Sequence, residues 1–178
     1  MSLVLETPRL LLRPPEPADE ALYLALMAEP DFARFLTADG KPQDAAAAWR
    51  GFATVVGHWA IRGYGFFTVV EKATGEAVGR VGPWRPEGWP GLECGWGIAR
   101  ARWGRGYAGE AAVAAIRWIF AEQPELARII SVIDPANARS QAVAAKIGET
   151  KTGEVFDFWG FRLDVWAATR ADFLARHG

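Results

Sequence analysis

The chain has 178 residues, 51% of them hydrophobic, and its acidic and basic side chains nearly cancel at 21 against 20. That length suits a single domain, residues 1–178, with a sizeable core, and no apolar run is long enough for a transmembrane helix. A net charge of −1 offers no field for nucleic acid or an anionic membrane, and the lone cysteine, Cys94, excludes an intramolecular disulfide.

The amino terminus lacks the apolar run of a secretory signal, so the expected location is cytoplasmic. LVLETPRLLLRP then reads as one strand, stopped by Pro14, Pro15 and Pro17 ahead of an apolar-periodic helix from Asp19 to Ala28. From Asp44 to about Ile61, Trp49, Phe52, Val56 and Trp59 recur at helical spacing and predict a second amphipathic helix. YGFFTVVE and EAVGRVG form a strand pair around a glycine-containing turn, followed by a loop holding Trp84 and Trp89.

LECGWGIA, residues 92–99, reads as a strand with two unlike faces. Leu92, Cys94, Trp96 and Ile98 point toward a core; Glu93, Gly95, Gly97 and Ala99 point the other way. Paired glycines on one strand face mark a close approach by a ligand or another backbone, and Glu93 is the functional group beside it.

WGRGYAGEAAVAAIRWIF places glycines on a G-x-G-x-x-G spacing that runs directly into an alanine-rich helix. Such a helix start presents unpaired N–H groups and partial positive charge, which suits a phosphate. The spacing also fits a plain tight turn or a dinucleotide fingerprint. Against the fingerprint, Arg100, Ala101, Arg102 and Trp103 separate the strand from the first glycine, and too little chain follows Asp134 for a doubly wound sheet. A Walker loop is excluded by the lack of Gly-Lys-Ser or Gly-Lys-Thr. ARIISVID supplies a further strand, and a helix from about Ala138 to Ile147 ends at Gly148. A closing hairpin turns near Trp159 and Gly160, and Thr169 with Asp172 caps a final helix.

Taken in order, ETPRLLLRP, ECGWGI, WGRGYAGEA and NARSQAVAAKIG resemble the GNAT N-acetyltransferases, particularly the RimJ/RimL-type enzymes that acetylate ribosomal-protein amino termini. The resemblance covers nearly the whole chain. It implies an α/β (α+β) fold: a mixed, mostly antiparallel sheet of about seven strands, splayed near an acetyl-CoA site, with about four to five helices. The family's pyrophosphate pattern, Gln/Arg-x-x-Gly-x-Gly/Ala, falls on Trp103, Gly104, Arg105, Gly106, Tyr107 and Ala108, with Trp103 departing at the first place. By the same resemblance, the backbone of Trp96, Gly97, Ile98 and Ala99 pairs with pantetheine amides. Asn137 corresponds to a CoA-contacting asparagine, and Ser140 to a serine near the thioester sulfur. Each also has an ordinary reading: Asn137 as a helix-start residue, Ser140 as a solvent-facing first-turn residue. Arg100, Arg102 and Arg105 either reach the phosphates or are simply solvated.

The implied reaction is acetyl transfer from acetyl-CoA to a primary amine, either a protein amino terminus or a small amine, by direct attack in a ternary complex. Glu93 is the candidate base, the alternative being a structural ion pair with an arginine. Ser140 is the candidate proton donor to sulfur, and a backbone N–H near Trp96 to Ile98 would polarise the acetyl carbonyl. Tyr107, inside the loop, fits a cofactor contact or a packing role. Cys94, on the core side of its strand, reads as a core residue rather than a nucleophile. His58 and His177 lie in no catalytic or zinc-ligating pattern, so no metal is expected. Trp49, Trp59 and Trp118 fall on helical stripes and read as core; Trp84, Trp89 and Trp159 fit an acceptor pocket or a dimer contact. The family implies a homodimer. A non-catalytic acyl-CoA-binding module and, more distantly, an NAD-binding domain are the competing readings.

Overall fold

The structure, a computed structural model, describes residues 3–37, 39–158 and 160–178 and, at Phe161, the backbone alone. Trp159 therefore lies outside the described residues. The strands are β1 (Leu5–Glu6), β2 (Leu10–Arg13), β3 (Phe67–Glu71), β4 (Ala77–Trp84), β5 (Glu93–Ile98), β6 (Arg128–Ile133), β7 (Thr150–Phe158) and β8 (Phe161–Thr169). They form one sheet in the order β1-β2-β3-β4-β5-β6-β8-β7. Only β5 and β6 pair in parallel; every other neighbouring pair is antiparallel. A doubly wound sheet is thereby excluded.

Helices α1 (Glu20–Ala28), α2 (Pro30–Ala33) and α3 (Ala45–Arg62) precede β3. The remaining three, α4 (Tyr107–Glu122), α5 (Ala138–Ile147) and α6 (Arg170–His177), follow β5, β6 and β8. The sheet has eight strands rather than about seven because the opening run is not one strand. Thr7 N donates to Leu10 O at 3.0 Å and Thr7 Oγ1 accepts from Leu10 N at 2.9 Å, turning the chain at Pro8 into the β1–β2 hairpin. A sixth helix arises where Pro30 starts a single turn capped by Glu29.

The alanine-rich α4 covers one face of β4 and β5. Its Ala111, Ala112 and Ala115 are fully buried, so the helix axis sits close to the sheet, with Ile116, Ile119 and Phe120 filling the space beyond. Helices α1 and α3 pack together beside the sheet, where Tyr23, Phe52, Val55 and Phe66 form a second buried cluster. Here the expected stripe of α3 is corrected by one position. Ala48, Phe52, Val55 and His58 face inward, whereas Trp49 is 51% exposed and Val56 is exposed as well. Both sets repeat at spacings of three and four, so periodicity does not separate them; packing against Tyr23 and Phe66 does. Trp59 and Trp118 meet the core at its margin, 5.9 Å apart, each packed edge-on to Phe67. Trp84 is not in a loop; it ends β4, opposite Glu93.

Candidate active site

Gly104 and Gly106 take φ values of 74° and 80°, a region where a side chain is strained and glycine is not. These turns deliver the chain into α4, with Gly106 as its N-cap. The first helical bond at this end runs from Glu110 N to Gly106 O at 3.1 Å. Amides ahead of it therefore face a cleft with the positive end of the helix dipole behind them. The loop is anchored from beneath by the buried Glu71. Its carboxylate accepts from Tyr107 Oη at 2.5 Å, Thr74 Oγ1 at 2.9 Å, Arg102 Nε at 3.2 Å and Arg105 Nη1 at 3.3 Å. These bonds, that of Tyr107 foremost, hold Glu71 below the usual carboxylate range.

All three arginines of the loop region are thus committed to acids of the protein. Arg102 also pairs with Glu76 at 2.7 Å, and Arg100 pairs with Asp31 at 2.8 Å. The uncommitted cations of the cleft come from α5. Lys146 lines it, with no ion pair among the described residues, its Nζ 3.7 Å from where a Cβ on Gly106 would stand. Arg139 lies 4.1 Å over the Trp103 ring. Neither was singled out from the sequence, although 139, 143 and 146 repeat at helical spacing and mark one face of α5.

Strands β5 and β6 pair only where Glu93 faces Ile130, and beyond that point they splay. Ala99 N donates to Val78 O at 2.8 Å. Alternation along the β4–β5 pair then turns the backbone groups of Gly97 and Ala99 toward β4 and those of Trp96 and Ile98 toward the opening. The expectation that all four residues offer backbone groups to a ligand is corrected to these two. Ile98 O is already taken by Trp103 Nε1 at 2.6 Å, leaving the Ile98 N–H and both groups of Trp96. Trp103, the departure from the family pattern, thus ties the loop to the end of β5. The glycine face is not open either: a Cβ on Gly97 would come within 2.5 Å of the Phe32 ring, and one on Gly95 within 2.8 Å of Phe66.

The cleft has a volume of about 410 Å³. It brings together Trp96, Gly97, Ile98, Trp103, Gly104, Gly106, Tyr107, Ala108, Asn137 and Ser140, while Ala99 and Arg105 are not in its wall. Asn137 caps α5, its side chain accepting from Ser140 N at 3.1 Å. Ser140 Oγ accepts from Trp96 Nε1 at 3.3 Å, which leaves its own proton available. A second cavity beside Trp96 is lined by Glu93, Arg80, Trp84 and Trp89, and the two share Phe35, Leu36, Trp96, Asn137 and Ser140 as a common wall.

In that second cavity Glu93 is 9% exposed, and its Oε2 accepts from Trp89 Nε1 at 2.6 Å. Burial pushes its carboxyl up to about 7, against the opposing pull of the Trp89 bond, the Val132 backbone and the Arg80 charge. No arginine forms an ion pair with it among the described residues. Cys94 is buried in the core, where burial raises its thiol well above the usual range. His58 is fully engaged by Tyr64 O at 2.7 Å and Arg85 N at 3.3 Å. A buried acid missed by sequence reasoning, Glu149, sits behind the splay; burial pushes it up to about 8. Ser131 Oγ donates to Cys94 O at 2.9 Å and lies 3.1 Å from Glu149 Oε1. Its single proton can serve only one of these two acceptors at a time.

Residues 9–150 match the Acetyltransferase (GNAT) domain model, and the chain belongs to that family. An acetyltransferase from Agrobacterium tumefaciens str. C58 is 33% identical, superposes with a TM-score of 0.82, and the alignment covers 94% of this chain and 95% of that one. The Bacillus subtilis (strain 168) protein YkkB is 40% identical over 91 residues, 49% of this chain; the match spans about half of that relative, 52% of its length. An aminoglycoside acetyltransferase solved with coenzyme A shares the fold at 18% identity and a TM-score of 0.77, over 95% of this chain and 99% of that one. The family uses acetyl-CoA as acetyl donor. Among the described residues, no group of three or more His, Cys, Asp or Glu could hold a metal ion, and no helix is long and apolar enough to cross a membrane.

Proposed function

We propose that residues 1–178 form one acetyl-CoA-dependent N-acetyltransferase domain that acetylates a primary amine by direct attack in a ternary complex. The observation that carries this reading is the common wall of the two cavities, whose hydrogen-bonding side chains are Trp96, Asn137 and Ser140. A donor on one side and an acceptor on the other would meet there. The cleft suits CoA on three counts: amides at the start of α4, the Lys146 and Arg139 cations, and the exposed backbone edge of Trp96 and Ile98. Trp103, Gly104, Arg105, Gly106, Tyr107 and Ala108 form the phosphate loop in this reading, with Arg105 and Tyr107 holding it through Glu71 rather than reaching the ligand.

The bound thioester supplies the acetyl group. Glu93 takes the proton of the acceptor ammonium, and a carboxyl titrating near 7 is well matched to that task. As the N–C bond forms and the C–S bond breaks, the Trp96 or Ile98 N–H holds the charge on the acetyl oxygen. Ser140 Oγ protonates the departing sulfur and recovers the proton that nitrogen sheds on becoming an amide. Cys94 has no part in the transfer.

Within the family, the RimJ/RimL-like reading makes a ribosomal-protein amino terminus one acceptor class and a small amine the other. A cytoplasmic setting and a homodimer belong to the same proposal. The test is release of CoA thiol from acetyl-CoA with a panel of amines. Turnover that collapses in Glu93→Gln, with CoA affinity retained, supports the reading. CoA binding without turnover of any amine leaves the non-catalytic acyl-CoA module in its place.

A further inference from the structure

We infer that the second cavity is built for an amine that also carries a carboxylate, bound by Arg80 and Tyr23 while its amino group faces Glu93. The inference rests on the acetyl-transfer reading above. Arg80 lies on β4 opposite Gly97 and shares a sheet face with Glu93, which stands opposite Trp84. Its guanidinium sits 4.2 Å over the Phe66 ring; Phe66 stacks on Trp84 at 5.0 Å, and Trp84 on His58 at 4.3 Å. This column holds the fork flat, the geometry that matches a planar carboxylate through two parallel bonds.

Among the described residues no carboxylate or carbonyl pairs with the Arg80 guanidinium, and Glu93, whose charge reaches it, gives Oε2 to Trp89 instead. Burial lowers the Arg80 pKa. A half-buried guanidinium gains from a ligand that supplies acceptors. The Tyr23 hydroxyl lines the same cavity and is buried; Thr68 is its polar neighbour, but among the described residues none meets it in full hydrogen-bonding geometry. Burial pushes it up to about 12, so it stays a donor. Nearby Arg13 and Asp19 neutralise each other through bonds of 2.7 and 2.8 Å, so Arg13 does not compete with Arg80 for a ligand. Arg80 and Tyr23 thus offer two unmet donors to a carboxylate, while the acids Glu93 and Asp134 in the same wall suit an amine. Among the described residues Arg80 is the one basic side chain in the wall, which suits a singly charged carboxylate rather than a phosphate dianion. A peptide amino terminus would bring a neutral amide to the same place, so the site favours a free amino acid-like acceptor.

The experiment uses matched acceptors: a panel of amino acids, each as the free acid and as its carboxamide. Thiol release is measured with the wild type, Arg80→Gln, Arg80→Lys and Tyr23→Phe, alongside calorimetric binding of each acceptor to the CoA-loaded protein. The expected result, read on the plateau above the Glu93 limb, is at least about tenfold higher kcat/KM for free acids, lost in Arg80→Gln and partly restored in Arg80→Lys, with carboxamides losing far less than acids. Equal use of acids and amides by the wild type, or an equal loss for both in Arg80→Gln, overturns the inference. So does calorimetry without Arg80-dependent acid binding. Stabilisation by CoA is the control in every variant: its presence with no acid preference removes this inference alone, whereas its absence in the wild type removes the acetyl-transfer reading beneath it.

Discussion

The Trp89 indole N–H donates to Glu93 Oε2 at 2.6 Å from a loop whose ring also packs on Phe156 and Phe158. This bond favours the ionised carboxylate, while burial favours the acid, and the balance leaves Glu93 at about 7. As a base, Glu93 acts when deprotonated, so kcat/KM should rise with pH through about 7 in addition to any rise from the acceptor amine itself. Glu93→Gln should remove that limb and lower kcat by about a hundredfold or more. Trp89→Phe should move it upward, by roughly half to one pH unit. A limb unchanged in both variants would show that Glu93 is not the base.

Ser140 accepts from Trp96 Nε1 at 3.3 Å and keeps its own proton free for sulfur. Ser140→Ala should lower kcat by about ten- to a hundredfold with little change in CoA affinity. A pre-steady-state assay that follows thiol release separates this from slow product release. Full turnover in the variant contradicts the role.

Lys146 lines the cleft beside the helix-start amides, with no acid partner among the described residues. Lys146→Glu should weaken CoA binding about ten- to a hundredfold, more at low salt than at high salt. It is a cleaner probe than any substitution at Gly106, where the positive φ of 80° strains every side chain. Unchanged affinity across ionic strengths would move the phosphates elsewhere.

Glu149 titrates at about 8 in the folded protein against an ordinary 4.5. Between those values the folded state keeps a proton that the unfolded chain has lost, so stability present below pH 4.5 is lost as pH rises through about 8. The slope is about 1.4 kcal/mol per pH unit from this group. Glu149→Gln, whose amide can also donate to Ser131 Oγ, should flatten the fall and raise Tm at pH 8. Parallel Tm–pH curves for variant and wild type would contradict the buried-acid assignment.

Elements with strong local punctuation were legible in the sequence. The expected helix from Ala138 to Ile147 matches α5, because Asn137 caps its start and Gly148 takes a φ of 97° at its end. The phosphate-loop candidates were legible for the same reason, since Gly104 and Gly106 each occupy a conformation that only glycine takes easily. What escaped depends on contacts remote in sequence. Trp49 and Ala48 fit the same helical period, and only the packing of α3 on Tyr23 and Phe66 chooses between them. Arg80 sits in an ordinary-looking strand, and its lack of an acid partner appears only once β4, β5 and α1 are assembled. Glu149 follows a helix-ending glycine like many solvent-facing acids; its burial comes from Ser131 and the strands around it.

The most direct test of the account is acetyl-group transfer by the wild type and Glu93→Gln across pH 5.5 to 9, with CoA-induced thermal stabilisation recorded in the same samples. The predicted result is equal stabilisation of both proteins by CoA, with turnover rising through about pH 7 only in the wild type. Equal turnover and equal pH profiles in the two proteins would contradict the central claim that Glu93 drives transfer across the wall formed by Trp96, Asn137 and Ser140.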